Sequence, residues 1–273
     1  MRWWPALQVL ALHFVLLMGL ERKVALPERV ASYPAQLLGL LRPEVFTQVG
    51  PQALLTGAYL LGGLGLAWLL VTLLSRWARP LLWFMEGIPP FLLLALGVWA
   101  GVTFTVARGL DFPLTPWSPV MLGLYTASLA LPVAARVALA TGQVRREALG
   151  ADYTRTARAM GLPEARIQAQ ARRVALPERA AGLGGDALGL ALALVIMEGL
   201  LQFPGLGNSV SLALQGALSG AGDTVSSAAD PLAQQTLAAA LLLWLLLGVL
   251  ATLFYQGLAA RLDPRPRSGE EAH

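Results

Sequence analysis

The 273-residue chain is 56% hydrophobic and only 13% charged, and its 20 Lys and Arg against 16 Asp and Glu leave a formal charge of +4. So few charges cannot cover a water-soluble domain of this size, which places the chain in lipid. Without cysteine there are no disulfides, thiolate nucleophiles or cysteine metal sites, and with only His13 and His273 no histidine cluster exists, so no metal site is expected.

The first apolar run, Trp3 to Leu20, lacks a small-x-small cleavage site after it and reads as an N-terminal transmembrane anchor over 1–20. Residues 21–52, interrupted by Pro27, Pro34, Pro43 and Pro51, read as an extracytoplasmic loop with short interfacial helices. A membrane core over 53–267 follows, with spans at 54–74, 81–106, 120–139, 187–201 and 232–255. Pro89-Pro90 predicts a kink in the second of these. The fold class is therefore all-α, a polytopic helical membrane protein of about six transmembrane helices. Residues 268–273 form a tail.

The arginines set the orientation. With the N-terminus inside, Arg76, Arg79, Arg145, Arg146, Arg155, Arg158, Arg166, Arg172, Arg173, Arg179, Arg261, Arg265 and Arg267 all fall in cytoplasmic segments. Only Arg22, Lys23, Arg29, Arg42 and Arg108 fall outside, so both termini are expected in the cytoplasm of a multi-pass inner-membrane protein. These arginines lie between apolar runs, without interleaved aromatics on a polar domain, and no nucleic-acid partner is expected. The pairs Gly97-x-x-x-Gly101 and Gly185-x-x-x-Gly189 suit close helix packing.

The basic stretch from Gly150 to Ile167 predicts a helix, a sharp turn and a second helix. Asp152 suits an N-cap over Tyr153 to Met160, Gly161 supplies a left-handed stop, and Pro163 suits the first turn of the next helix. Tyr153, Ala157 and Met160 share one face and Arg155 and Arg158 another; Ile167, Ala171 and Val174 repeat the pattern. Small Ala157 and Ala159 keep the first helix slim enough to enter another protein's groove, while its arginines suit acidic groups or membrane lipid. A basic loop that only fixes topology is the competing explanation.

The run Asp152-Tyr153-Thr154-Arg155-Thr156-Ala157-Arg158-Ala159-Met160-Gly161-Leu162 resembles the cytoplasmic signature of the dipeptide/oligopeptide/nickel permeases of ABC importers, with Met160 where a lysine is usual. Glu198-Gly-Leu-Leu-Gln-Phe203-Pro204-Gly205-Leu-Gly207 is similar to that family's Glu…Phe…Pro-Gly-Leu-Gly run, Phe203 standing later than the family's phenylalanine. Asp263-Pro264-Arg265 is similar to its terminal Asp-Pro-Arg. The histidine and asparagine that usually follow the first motif are absent from 170–177.

The resemblance implies a type I ABC importer permease fold and a translocation pathway built from two permeases, the second homologous or identical. It implies that coupling helices at about 152–176 dock on cytoplasmic ATPase subunits through Asp152, Tyr153, Arg155, Thr156, Ala157, Arg158, Ala159, Gly161 and Leu162. It also implies an extracytoplasmic substrate-binding protein and a peptide or similar small solute. The chain has no Gly-x-x-x-x-Gly-Lys-Ser/Thr loop, so ATP and Mg are expected on the ATPase partners, with no cofactor and no catalysis in this chain.

Acidic groups in or beside apolar runs are costly, which makes Glu86 and Asp186 candidates for the pathway. Glu198, Phe203, Pro204, Gly205 and Gly207 close the fifth span in a turn that suits a gate, a contact for the binding protein, or an ordinary helix end. An ion-gradient-driven carrier would call for clearer intramembrane polar sites and an internal repeat. An intramembrane hydrolase would call for a nucleophile with a base, and Ser75, Ser118 and Ser128 have no histidine near them in sequence.

Overall fold

The computed structural model describes residues 4–20, 26–39, 42–74, 79–219 and 231–263. Every regular element among them is an α-helix: α1 (Trp4–Leu20), α2 (Leu26–Gly39), α3 (Pro43–Leu74), α4 (Arg79–Glu86), α5 (Pro90–Val106), α6 (Pro119–Gly150), α7 (Asp152–Ala159), α8 (Glu164–Val174), α9 (Leu176–Leu201), α10 (Leu206–Ser219) and α11 (Pro231–Leu262). Long apolar runs have no other choice, because each backbone N–H and C=O in hydrocarbon must be satisfied within its own helix.

Among the described residues, four helical units are long and apolar enough to cross a bilayer: α3, α6, α11, and the nearly continuous 164–201 unit made by α8 and α9. A fifth crossing arises if α4 and α5 count as one broken span, bent by 91° at Gly87–Pro89. The bend expected at Pro89-Pro90 is therefore present. With α1 (Trp4–Leu20, 17 residues), at the short end of the length a crossing needs, these make up the expected six or so spans.

Several boundaries also move. Residues 43–52 are the opening turns of α3, with Pro51 inside the helix, so the predicted loop ends earlier than expected. A single proline removes one backbone bond, and a long packed helix tolerates the loss. Helix α6 runs past the predicted end at 139 to Gly150, since its polar last turns, with Gln143, Arg145, Arg146 and Glu147, are still good helix formers. Pro177 sits in the first turn of α9, which begins at Leu176 and not near 187. Residues 264, 265 and 268–273, with the end of the terminal motif and the tail, lie outside the described residues.

The core is formed where α3, α6, α9 and α11 meet. Tyr59, Leu60 and Leu64 of α3 pack with Met121, Tyr125 and Leu129 of α6, Leu190 and Leu194 of α9, and Leu241 and Leu245 of α11. Glycine makes the closest approach possible: a Cβ on Gly63 would stand 2.9 Å from the Leu129 Cβ, so α3 and α6 could not meet as they do with alanine there. Gly97 and Gly101 are filled in the same way by Leu124 and Phe112, whereas Gly185 and Gly189 face open space. On the outside, Leu61, Leu69, Leu73, Trp99, Ile196 and Phe254 are exposed, as a lipid-facing surface requires.

Helix α1 is tied in by a buried histidine. The His13 ring nitrogens lie 2.9 Å from the Tyr33 hydroxyl of α2 and 3.0 Å from the Ala238 carbonyl of α11, so His13 is a packing residue with both polar atoms satisfied.

Candidate functional site

The predicted helix–turn–helix is present, and its turn follows local chemistry. Gly161 has φ +77°, a conformation that costs other residues a steric penalty. The Leu162 N–H donates to the Ala157 carbonyl at 3.1 Å and the Gly161 N–H to that of Arg158 at 3.0 Å, which closes α7 in a Schellman motif. Asp152 is not the N-cap: Ala151 takes the extended cap position, and Asp152 is the first helical residue, where its charge favours the positive helix end. Pro163 caps α8 from just before it.

Helix α7 packs against α6 and α8 along one thin edge. The buried Thr154 hydroxyl donates to the Ala148 carbonyl at 2.7 Å, fixing α7 to the end of α6. Arg158 pairs with Glu164 of α8 at 3.2 Å, and this bond pushes the guanidinium up from its ordinary value. Ala157 and Leu162 are half-buried, while Asp152, Arg155, Thr156 and Ala159 are exposed. Tyr153 is 49% and the C-cap residue Met160 69% exposed, so the large apolar side chains of α7 and its cap point away from the chain and the polar Thr154 points into it.

A second cluster lies midway along α6. Arg136, in the interior of α6, donates to Asp186 of α9 at 2.6 Å and approaches Glu86, the last residue of α4, at 3.5 Å. The two candidate acids, 100 residues apart in sequence, are thus brought onto one arginine that the sequence reading passed over. Its signal was present: an arginine inside an apolar run is as costly as the acids. The three side chains line a cavity of about 260 Å³ beside the α4–α5 break, together with Pro90, Pro132 and Gly189. The Arg136 and Glu86 side chains remain 50% and 36% exposed, so the cluster opens outward from this chain.

The third is centred on Glu198, fully buried near the end of α9. Its carboxylate accepts from the Thr56 hydroxyl of α3 at 2.8 Å and from the Gly207 N–H at 2.7 Å, and Thr56 in turn accepts from the Leu206 N–H at 2.9 Å. The glycines of the motif follow from this geometry. A Cβ on Gly205 would fall inside the carboxylate, and one on Gly207 would stand 2.8 Å from its Oε2 and from the Leu194 carbonyl. Gln202 turns the chain at φ 52°. Phe203 then stacks on Tyr125, which stacks on Tyr59 with centroids 4.1 Å apart, while Pro204 is exposed. Thr56, Tyr59 and Tyr125 belong to this node, and no spacing in the sequence links them to Glu198.

Residues 59–267 match the family described as the binding-protein-dependent transport system inner membrane component. The chain belongs to that family. No curated protein matches it. As a binding-protein-dependent permease, the chain is a membrane-embedded subunit of an ABC importer with the type I permease fold, a transport component of a kind that works with an ATPase and a binding protein. The match covers all three clusters except Thr56.

Proposed function

We propose that this permease forms one half of an ATP-driven pathway for a peptide or a similar small zwitterionic solute, with α7 as the helix that couples it to a cytoplasmic ATPase. In this reading both termini and α7 face the cytoplasm, and ATP and Mg are held by the ATPase subunits. A second permease completes the pathway, and an external binding protein delivers the solute.

The observation that carries the coupling role is the outward display of Tyr153, Thr156 and Met160 on a slim helix whose inner edge is pinned by Thr154. An exposed apolar pair on an otherwise polar surface suits a groove on a partner protein better than water. Support for the solute class comes from the Arg136 cluster, which offers one cation and two carboxylates beside the α4–α5 break on an outward-opening face. Such a set matches the carboxylate and ammonium ends of a peptide. The Glu198 turn, with Phe203, Pro204, Gly205 and Gly207, serves as the gate at the far end of α9.

Replacing Gly161 by Val tests the coupling role. A β-branched residue at φ +77° strains the turn and displaces Met160. In the reconstituted importer, ATP hydrolysis is expected to continue while uptake falls at least about tenfold, the loss corresponding to ~1.4 kcal/mol in coupling. Unchanged uptake and unchanged ATPase stimulation would remove the assignment. Because the chain has no cysteine, Met160→Cys also gives a unique cross-linking handle, expected to join the ATPase and not the binding protein.

A further inference from the structure

A cavity of about 470 Å³ lies at the α7–α8 end of the bundle, where α3 and α6 leave the core and α9 enters it, and Arg145, Arg146, Arg172 and Arg179 all line it. No carboxylate does. The acids nearest in sequence are engaged or turned elsewhere: Glu164 holds Arg158, Glu147 accepts from Gln143, and Glu178 lines a different cavity. Among the described residues none of the four arginines has an ion-pair partner.

Two of them are half-buried and incompletely satisfied. Arg145 donates through Nη2 to Gln168 at 2.6 Å, and the Arg179 Cζ stands over the Trp68 ring, 4.3 Å from its centroid, yet the Nε of each is buried without a hydrogen-bond partner. A buried donor without a partner is costly, and four cations sharing one cavity repel each other. The repulsion is relieved if an anion with several acceptor oxygens occupies the space. Several guanidinium groups around one space suit a multiply charged acceptor with several oxygens, such as phosphate. Val71, Leu149 and Leu176 give the same cavity an apolar wall at the edge of the spans.

We infer that this cavity is a phosphate-binding site, and that its occupant is the headgroup of an anionic phospholipid whose glycerol and first acyl carbons lie on the apolar wall. Basic pockets between helices at a membrane surface hold such headgroups.

The test uses the purified full-length chain in detergent. Native mass spectrometry reads retention of added phosphatidylglycerol against phosphatidylcholine, and a parallel thermal-unfolding series reads inorganic phosphate. For the wild type, phosphatidylglycerol is expected to be retained over phosphatidylcholine. Arg145→Gln combined with Arg172→Gln is expected to weaken that retention about thirtyfold, in line with two lost phosphate contacts. The pair Arg166→Gln and Arg173→Gln, exposed on α8 but outside the cavity, is expected to leave it within about twofold. Arg145→Lys with Arg172→Lys keeps the charge and separates loss of binding from loss of folding.

Stabilisation by inorganic phosphate alone, abolished by the same lining pair, upholds the phosphate site and assigns its source to free phosphate. Equal retention of the two lipids together with no effect of phosphate overturns the site. So does an equal loss from the lining and control pairs.

Discussion

Glu198 and α7 each belong to a short run that the sequence sets apart, and the structure holds them in opposite ways. Around Glu198 the carboxylate, the Thr56 hydroxyl, two backbone N–H groups and two glycines are mutually required, all away from solvent. Around α7 the buried Thr154 hydroxyl and the exposed Arg158, bonded to Glu164 and to the Leu149 carbonyl, hold eight residues whose largest apolar side chain, with that of the following Met160, faces outward. The first arrangement makes sequence a matter of stability. The second leaves stability almost untouched and makes sequence a matter of what binds there.

Substitutions can break this contrast. The largest stability loss is expected from Glu198→Ala, which leaves the Thr56 hydroxyl and the Gly207 N–H without an acceptor in a buried site. Two unsatisfied groups cost about 2–4 kcal/mol, seen as a lower thermal midpoint in detergent. Glu198→Gln keeps an acceptor oxygen and should lose less. Next is Gly205→Ala, which forces a methyl into the carboxylate and should cost about 1–3 kcal/mol by the same measurement. A Gly205→Ala protein as stable as the wild type would show that the turn is looser than its geometry.

Tyr153→Ala with Met160→Ala is expected to move the midpoint by no more than about 0.5 kcal/mol equivalent, as exposed substitutions do, while uptake by the assembled importer falls. A stability loss as large as that of Gly205→Ala would erase the distinction between the two regions. The smallest effect is expected from Arg158→Gln. Its partner Glu164 is also exposed, so water and salt replace the pair and thermal unfolding should not distinguish the variant from the wild type.

The α7 turn was legible in the sequence because its causes are local. Gly161 must take positive φ wherever it ends a helix, and the alternation of Tyr153, Arg155 and Arg158 is fixed by the helical period. What stayed hidden was non-local. Thr56 meets Glu198 across 142 residues and Arg136 meets Asp186 across 50, and only the packing of α3, α6 and α9 creates these contacts. The error at Pro51 has the same root: a proline reads as a breaker, but a 32-residue helix packed on α6 and α11 runs through it. Asp152 has a side chain that suits a cap, yet the extended Ala151 takes that position one residue earlier. Arg136 alone carried a local sign, a charge within an apolar run.

The near-continuity of α8 and α9 has a mechanical consequence. From Glu164 to Leu201 the chain is broken only at Ala175, which keeps a right-handed conformation, so 38 residues act as a rod of ~57 Å. One end of this rod is joined to α7 by the Gly161 turn, and the other carries Glu198 and its bonds to α3. A tilt of a few degrees imposed at the α7 end sweeps the opposite tip by several ångströms, enough to break the 2.8 Å hydrogen bond between Glu198 and Thr56 of α3 or to let it form.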